Sequence, residues 1–380
     1  MGKLQTIHFD KADAAIFRFE EGKEVKEYLV MITVTDGSLS FEQQAESVLD
    51  AFSSIRKDTL PGAEAIFKRY FLSDSANQED FIFSEDFSEC ALSVIQQPPL
   101  NGTKIALLAY MQTNMNISLG ECGLYRASHG KYRHIWGGSA HNMAANTEYQ
   151  TRLLLNEYIV QLTQENCKLC DNCIRTWFFV NDVDLNYGGV VRARNQVFFT
   201  QGLTQKTHFI SSTGIGGRQK DTNVLAQMDT YAIDGISQEQ IQYLYGATHL
   251  NRTSDYGVSF ERGTAVQYGD RRHVFISGTA SIDNKGQIVY PGDIRKQTGR
   301  MMENVEVLLK EADCSYDDVA YMIVYLRDVA DYNVVKNIYE EKFKGKPYVI
   351  VHAPVCRPGW LIEMECMAIK DLKDSRFEAL

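Results

Sequence analysis

The feature that most constrains the fold of this chain is a repeat, because one order of strands and helices occurs three times in 380 residues. In the last third the apolar periodicity predicts six elements: strands at 272–280, 319–326, 348–352 and 361–368, and helices at 294–311 and 332–343. Strands that alternate with single amphipathic helices predict a mixed α/β (α+β) fold with helices on one face of each sheet.

The middle third repeats this order, and its Gln150-Thr151 parallels Gln297-Thr298 in the corresponding helix. We predict a strand at 207–211 in this third, followed by a glycine-rich turn. The first third shows the same order more weakly, with predicted strands at 28–34, 65–74, 90–95 and 104–111 around a helix at 40–56. The sequence therefore predicts three units, with the bounds 1–118, 119–250 and 251–380.

Charge and hydropathy exclude several partners. The net charge of -10 and the lack of a long basic cluster disfavour nucleic acid, since phosphate backbones require localised positive charge. No apolar stretch approaches the roughly 20 residues of a membrane span, and no apolar signal core follows Met1. We therefore expect a cytoplasmic protein that binds neither nucleic acid nor a membrane.

The eight cysteines include one cluster, C-x-x-C-x-x-C at Cys167, Cys170 and Cys173. Three thiolates at this spacing are compatible with an iron-sulfur cluster or zinc, but no fourth ligand follows at a recognisable distance. The alternative, which we favour, is that the run ends a helix and enters a strand. We expect no metal and no cofactor.

The phrases VFISGTASIDNKG, QTGRMMENVEVLLKEA, VYLRDVADYNVV and LIEMECMAI, in the order of elements described above, make the last third resemble the YjgF/RidA family, which has the chorismate-mutase-like fold. Members of that family are homotrimers with clefts between subunits. The resemblance implies that three units in one chain form a single-chain pseudo-trimer, which we expect to be a monomer.

A longer series of phrases, RTWFFVNDVDLNY, VRARNQVFF, SSTGIGG, SGTASI and VCRPGWLIEMEC, resembles the chorismatases over residues 120–370. This resemblance implies hydrolysis of the enolpyruvyl ether of chorismate, or of a relative such as isochorismate, to pyruvate and a cyclohexadiene or hydroxybenzoate. That chemistry requires cations for an anionic small-molecule substrate and an acid for the enol carbon.

The candidate acid is Glu363. Alternation along 361–368 places Glu363 and Glu365 on one face with apolar neighbours, so desolvation and mutual repulsion are expected to raise a pKa toward neutrality. Aligned closing strands put Ala106 and Gln227 at the equivalent positions of the other units. The resemblance to chorismatases also assigns the acid to Glu363. The alternative is that both glutamates face solvent or pair with cations of an adjacent unit.

The candidate substrate cations are Arg194, Arg327 and Arg357. Arg194 matches the chorismatase substrate arginine, and the alternative for it is a helix-surface ion pair. Tyr187, seven residues earlier, is a further candidate for contact with substrate. Arg327 ends a strand, where it can reach a cleft or remain solvated. Arg357 precedes the last strand and matches an arginine of the family, and its side chain contacts either the ligand or the neighbouring backbone.

Four further residues are candidates for contact with substrate. Thr213 and Gly214 lie in the SSTGIGG segment, where a glycine-rich turn can direct backbone amides at a carboxylate or can be a plain tight turn. The resemblance to chorismatases places Ala280 and His352 where products diverge, and His352 either adds a base or fills space.

Two other functions remain open. An imine deaminase of the RidA type depends on an arginine upstream of the final strand, and the corresponding Tyr348 and Val349 are not arginines. A non-catalytic small-molecule binder would keep the fold without the chemistry.

Overall fold

The structure is a computed structural model that describes residues 2–87 and 89–380. Three six-stranded mixed sheets follow one another along the chain, and all three have the same strand order. This finding confirms the predicted three-unit fold.

Unit one consists of β1 (Lys3–His8), β2 (Ala12–Phe19), β3 (Glu27–Val34), α1 (Phe41–Ser54), β4 (Ala63–Leu72), α2 (Ser75–Glu85), β5 (Ala91–Gln96) and β6 (Ile105–Thr113). Unit two consists of β7 (Asn116–Leu119), β8 (Tyr125–His129), β9 (Tyr132–His141), α3 (Thr147–Gln164), α4 (Leu169–Asn172), β10 (Cys173–Val180), α5 (Val183–Thr200), β11 (Ser211–Gly216) and β12 (Ala226–Asp234). Unit three consists of β13 (Ile241–Leu244), β14 (Gly263–Gln267), β15 (Arg271–Ala280), α6 (Ile294–Glu311), β16 (Val319–Leu326), α7 (Tyr332–Lys342), β17 (Tyr348–His352) and β18 (Ile362–Asp371).

The unit boundaries fall earlier than the predicted 118/119 and 250/251. The first predicted boundary cuts β7, and the second lies beyond β13, so residues near 115 and 237 divide the sheets instead. The predicted bounds differ because the opening hairpins of units two and three are built from strands of only four or five residues, too short for a clear alternating pattern.

One glutamine fixes the same contact in every unit. Gln44, Gln150 and Gln297 are buried, and each side-chain oxygen accepts a hydrogen bond from the backbone N–H of the residue immediately before the closing strand. These bonds span 2.7, 2.7 and 3.0 Å. The helix of each unit is thereby tied to the start of the strand that carries the site position described below.

The units contact one another in a ring. Backbone bridges join Gln96 of unit one to unit two, Ile215 of unit two to unit three, and Val351 of unit three to unit one. In units one and two the helix-facing side of the sheet has its own apolar cluster, whereas the largest cluster draws on all three units. Each unit therefore packs against both of the others, and the junctions between units lie at these bridges.

None of the helices in the described part of the chain combines the length and apolar character that a bilayer span requires.

Candidate functional site

The candidate site is a cleft of about 470 Å³ between units two and three. This volume includes solvent at the open mouth of the cleft, and the space enclosed behind the mouth is about 30 Å³. The side chains and backbone that line the cleft come from Tyr187, Arg194, Ser212, Gly214, Tyr256, Val258, Phe260, Arg262, Gly278, Ala280, Ile282, Cys356, Arg357, Trp360 and Glu363. Six of the nine residues predicted from the sequence are thus brought together.

Local geometry explains why unit two supplies its part of the wall. Tyr187 and Arg194 are seven residues apart on α5, which is about two helical turns, so both lie on one face. Ser212 and Gly214 are two residues apart on β11 and therefore also share a face. A Cβ on Gly214 would lie 2.6 Å from the Tyr187 ring, so only glycine allows the ring to pack there.

Glu363 is the acidic group of the cleft. It is 4% exposed, it pairs across the sheet with Ala280 on β15 and Tyr325 on β16, and its carboxyl group lies against Gly278. Burial, reinforced by the neighbouring carboxylate of Glu365, raises the pKa of Glu363 to about 8. Glu363 is therefore a carboxylic acid, able to donate a proton, at neutral pH. The expectation of a buried acid with a raised pKa is met, and the solvent-facing alternative is wrong.

Register confirms that only unit three has an acid at this position. Glu363 pairs with Tyr325, Gln227 pairs with Phe179, and Ala106 pairs with Phe71 at the same point of the three sheets. Gln227 uses its amide nitrogen to donate to Val94 O at 3.1 Å.

Arg194 is the second unusual charge. It is 1% exposed, and its only hydrogen bond is a 3.5 Å contact from Nη1 to Ser212 Oγ, while Nε and Nη2 have no partner among the described residues. Phe178 and Phe260 flank the guanidinium at 5.9 and 5.7 Å. The alternative of a helix-surface ion pair is therefore wrong. A buried cation without an anion is costly, which points to an anionic ligand.

Two more arginines face the cleft. Arg262, which the sequence analysis missed, is buried and donates to Asn251 O at 3.1 Å. It follows an irregular segment, so no periodicity marked it. Arg357 is exposed and stacks on Tyr256 and Trp360, with its Cζ 4.9 and 5.4 Å from the two rings. Three cations thus surround one protonated acid.

The remaining wall is apolar or weakly acidic. Val258, Phe260 and Ile282 are buried hydrophobic residues. Burial raises the pKa of the Tyr187 phenol, and it raises the pKa of the Cys356 thiol to about 12, so both groups are neutral at pH 7. The lining therefore offers cations for a small dianion and one proton donor among apolar neighbours.

The interpretation of Thr213 and Gly214 as a glycine-rich turn is wrong. Both lie in β11, which pairs in parallel with β10 and begins only at Ser211, not at 207. Their backbone groups belong to a strand, so they do not form an anion-binding turn. Gly214 lines the cleft, whereas the Thr213 hydroxyl lies behind its wall and accepts a hydrogen bond from Arg175 at 2.6 Å.

Arg327 and His352 lie outside the cleft. Arg327 forms an ion pair with Asp184 and donates to Val355 O at 2.7 Å, so its charge is already neutralised. His352 lies 3.3 Å from Arg327 O, in a surface depression that also includes Asp182. The sequence placed both at strand ends correctly but gave no sign of these partners.

The three clustered cysteines are free thiols on α4 and its flanks. Within residues 2–87 and 89–380 no group of three or more histidine, cysteine or acidic side chains is arranged to hold a metal ion. Burial raises the pKa of Cys167 to about 11 and that of Cys173 to about 12, which disfavours the thiolates that a metal requires.

Comparison with known proteins identifies the family. The Endoribonuclease L-PSP family model matches residues 263–370. A RutC family protein of Pyrococcus abyssi is 37% identical over 109 residues, which are 28% of this chain and 84% of the relative. This chain belongs to the RutC family. A second RutC family protein, from Pyrococcus horikoshii, is 36% identical over 100 residues, 26% of this chain and 79% of that relative.

A likeness in structure covers most of the chain. A crystal structure of chorismatase superposes on this RutC family chain with a TM-score of 0.63 and 17% sequence identity, covering 80% of this chain and 93% of that chain. At this identity the likeness shows a common fold. The expected YjgF/RidA-like membership and the chorismatase-like architecture are both confirmed.

Proposed function

We propose that this protein hydrolyses the enolpyruvyl ether of chorismate, or of a close relative, to pyruvate and a cyclohexadiene or hydroxybenzoate. One observation carries the proposal: a protonated buried carboxylic acid, Glu363, lines the same cleft as Arg194, a buried guanidinium without an anion. An enolpyruvyl ether of a dicarboxylate needs both, an acid for its methylene carbon and cations for its carboxylates.

The reaction is acid-catalysed hydration of a vinyl ether. The π electrons of the terminal methylene take the proton of Glu363, which leaves positive charge on the ether-bearing carbon beside the new Glu363 carboxylate. Water adds to that carbon and gives up a proton to the carboxylate. The hemiketal then breaks its bond to the ring oxygen, which takes the hydroxyl proton and leaves as the alcohol of a dihydroxycyclohexadiene, while the three-carbon fragment leaves as pyruvate. A hydroxybenzoate forms only when this diol then loses one molecule of water. Arg194 and Arg262 hold the substrate carboxylates during these steps.

The first test is pyruvate release from chorismate in the presence of a chelator, followed by a coupled reduction of pyruvate. The parent protein should turn over, and Glu363→Gln should lose roughly 10²-fold or more in kcat while still binding substrate. Because the acid must be protonated in the free protein, kcat/KM should be level below about pH 8 and fall above it. Glu303→Gln, an exposed change on α6, is the matched control.

Equal pyruvate release by parent and Glu363→Gln would remove Glu363 from the mechanism. A chorismate-induced rise in melting temperature without pyruvate would support the non-catalytic binder instead. Strand pairing shows that Tyr348 and Val349 of β17 in unit three occupy the positions that Ser212 and Thr213 of β11 occupy in unit two. None of these residues is the arginine on which a deaminase of the RidA type depends, so the deaminase alternative has little support.

A further inference from the structure

A buried charged network lies directly under the cleft, where all three units meet. We call it the central network: Arg69 of unit one, Arg175, Trp177 and Asp229 of unit two, and Glu365 of unit three. Arg69 Nη2 donates to Asp229 at 2.8 Å, and Arg175 Nη2 donates to Glu365 at 3.0 Å. Trp177 Nε1 donates to the other oxygen of Glu365 at 2.7 Å. All five side chains are buried, so these charges are hardly screened by solvent.

Arg175 reaches both walls of the cleft as well as Glu365. Its Nη1 donates to Ser277 Oγ at 3.1 Å, and its Nη2 donates to Thr213 Oγ1 at 2.6 Å. Thr213 Oγ1 also accepts from the Gly278 N–H at 2.9 Å, and Ser277 Oγ accepts from the Ser212 N–H at 2.9 Å. One guanidinium therefore clamps β11 of unit two to β15 of unit three.

These contacts lead to both functional groups. Ser212 holds the single hydrogen bond of Arg194, and Gly278 is the backbone against which the Glu363 carboxyl group lies. Glu365 is two residues after Glu363 on β18, so the two side chains emerge on the same face of the sheet. Arg175 and Glu365 are thus adjacent to the acid but lie behind the lining of the cleft.

The charged and titratable groups that lie around Glu363 or line its cleft come from several elements. They are Glu365 on β18, Arg175 on β10, Tyr187 and Arg194 on α5, Tyr325 on β16, Arg262 before β14, and Cys356 and Arg357 before β18. Glu365 favours the protonated acid and Arg175 and Arg262 favour the carboxylate. Arg175 and Glu365 therefore act on Glu363 in opposite directions.

We propose that Arg175 and Glu365 are positioning residues of the cleft: Arg175 fixes the two walls that carry Arg194 and Glu363, and Glu365, held by Arg175 and Trp177, places its carboxyl group beside Glu363 and reinforces the effect of burial on that acid. This inference rests on the proposed function for its catalytic meaning. Neither residue touches the space in which a ligand binds.

The test compares Arg175→Met, Glu365→Gln and the double variant. Arg175→Met should move the alkaline limb of kcat/KM to higher pH by about one unit, and Glu365→Gln should move it to lower pH by about one unit. The double variant should lie close to the parent, because both charges are gone and no unpaired buried ion remains. It also keeps the inference testable if one single variant fails to fold.

Glu27→Gln is the matched control, because it breaks another buried pair, with Arg271, in a different part of the chain. It should lower the melting temperature without moving the alkaline limb. A purely structural central network would behave in the same way, with lower stability and unshifted profiles for all three network variants. That outcome would overturn the inference.

A second readout does not depend on turnover. The folded-state pKa of Glu363 lies above its unfolded value of about 4.5, so its protonation stabilises the folded protein fully below pH 4.5 and this contribution is lost as pH rises to about 8. Glutamine does not titrate, so Glu363→Gln does not lose this contribution as pH rises. The melting temperature of Glu363→Gln minus that of the parent should therefore increase between about pH 4.5 and pH 8, and should become constant above the pKa of Glu363 in the folded protein.

Measured in the Arg175→Met and Glu365→Gln backgrounds, the levelling point should move up and down, respectively. If the levelling point moves in these variants but the parent releases no pyruvate, the proposed reaction is refuted and the positioning role of Arg175 and Glu365 is retained. If the parent releases pyruvate but the levelling point does not move, the positioning role is refuted and the proposed reaction is retained.

Discussion

Among the single residues of this protein, Arg194 carries the clearest functional signal, because a fully buried guanidinium without a carboxylate lowers the stability of the free protein. We predict that Arg194→Met raises the Michaelis constant for chorismate more than tenfold, since one partner of a desolvated ion pair is worth about 2–5 kcal/mol in binding. The melting temperature of the free protein should stay the same or rise. Steady-state kinetics and thermal unfolding measure the two effects.

Arg192→Met is the matched control, since Arg192 is on the same helix, is exposed, and pairs with Glu148. It should leave both the Michaelis constant and the melting temperature nearly unchanged. A loss of stability in Arg194→Met with normal kinetics would show that Arg194 is structural.

At the residue scale, the sequence predicted correctly those site residues that lie on a regular strand or helix, because the spacing of the element determines which side chains share a buried face. Alternation along one strand was enough to bury Glu363, and helical spacing was enough to join Arg194 to Tyr187. It failed for Arg327, whose partner Asp184 is 143 positions earlier, and for Arg262, which follows an irregular segment. Long-range ion pairs and loop conformations depend on tertiary contacts that no local pattern records.

At the scale of elements, β15 determines where the acid lies. The register of β15 against β18 shifts between Ile276 and Thr279, and Gly278 lies in this irregular stretch. A Cβ on Gly278 would overlap Glu363 Oε1 and lie 3.1 Å from Thr213 Cγ2. The absence of a side chain there makes the space for the carboxyl group.

We therefore predict that Gly278→Ala displaces the Glu363 carboxyl group and lowers kcat/KM at least tenfold, with a loss of stability of about 1 kcal/mol or less, because the displaced atom ends a flexible side chain. Kinetics and urea unfolding test both parts. Gly299→Ala on α6 is the control: its Cβ meets nothing within 4 Å, so it should keep full activity and gain up to about 1 kcal/mol. Normal activity in Gly278→Ala would mean that the position of the carboxyl group matters little.

The elements themselves were predicted with uneven success, and the differences have physical causes. Helix α6 and strands β16 and β17 match their predicted bounds because strong apolar periodicity runs between clear turn signals. Helix α2 was missed because it buries few side chains, and β11 was taken for a turn because its serines and glycines have low strand propensity. Burial between two units, not propensity, makes Ser211–Gly216 a strand.

At the scale of the whole molecule, the three junctions between units have similar strand arrangements but differ in the residue that stands at the position of Glu363. The junction of units one and two is closed by the hydrogen bonds of Gln227, at the position of Glu363. A depression of about 1090 Å³ lies between units three and one, where Ala106 takes that position. Fusion of the units in one chain lets each copy change separately, and an acid stands at this position in unit three alone, with Gln227 and Ala106 at the equivalent positions.

The final prediction concerns this dependence of the units on each other. Phe67 of unit one stacks on Trp136 of unit two with ring centroids 4.9 Å apart, and Arg271 of unit three pairs with Glu27 of unit one. The largest apolar cluster likewise includes residues from all three units. We therefore expect the 43.1 kDa chain to be a monomer that unfolds in one cooperative transition, with equal calorimetric and van 't Hoff enthalpies.

The fragment 116–380, which lacks unit one, tests this dependence. It should expose Trp136 and the rest of the shared apolar cluster, and should therefore aggregate or lose the cooperative transition. Light scattering and scanning calorimetry of both proteins decide the point, with Arg56→Ala, an exposed change in unit one, as the control that should behave like the parent. A fragment that melts as a monomer at the temperature of the full chain would show that unit one is an independent domain.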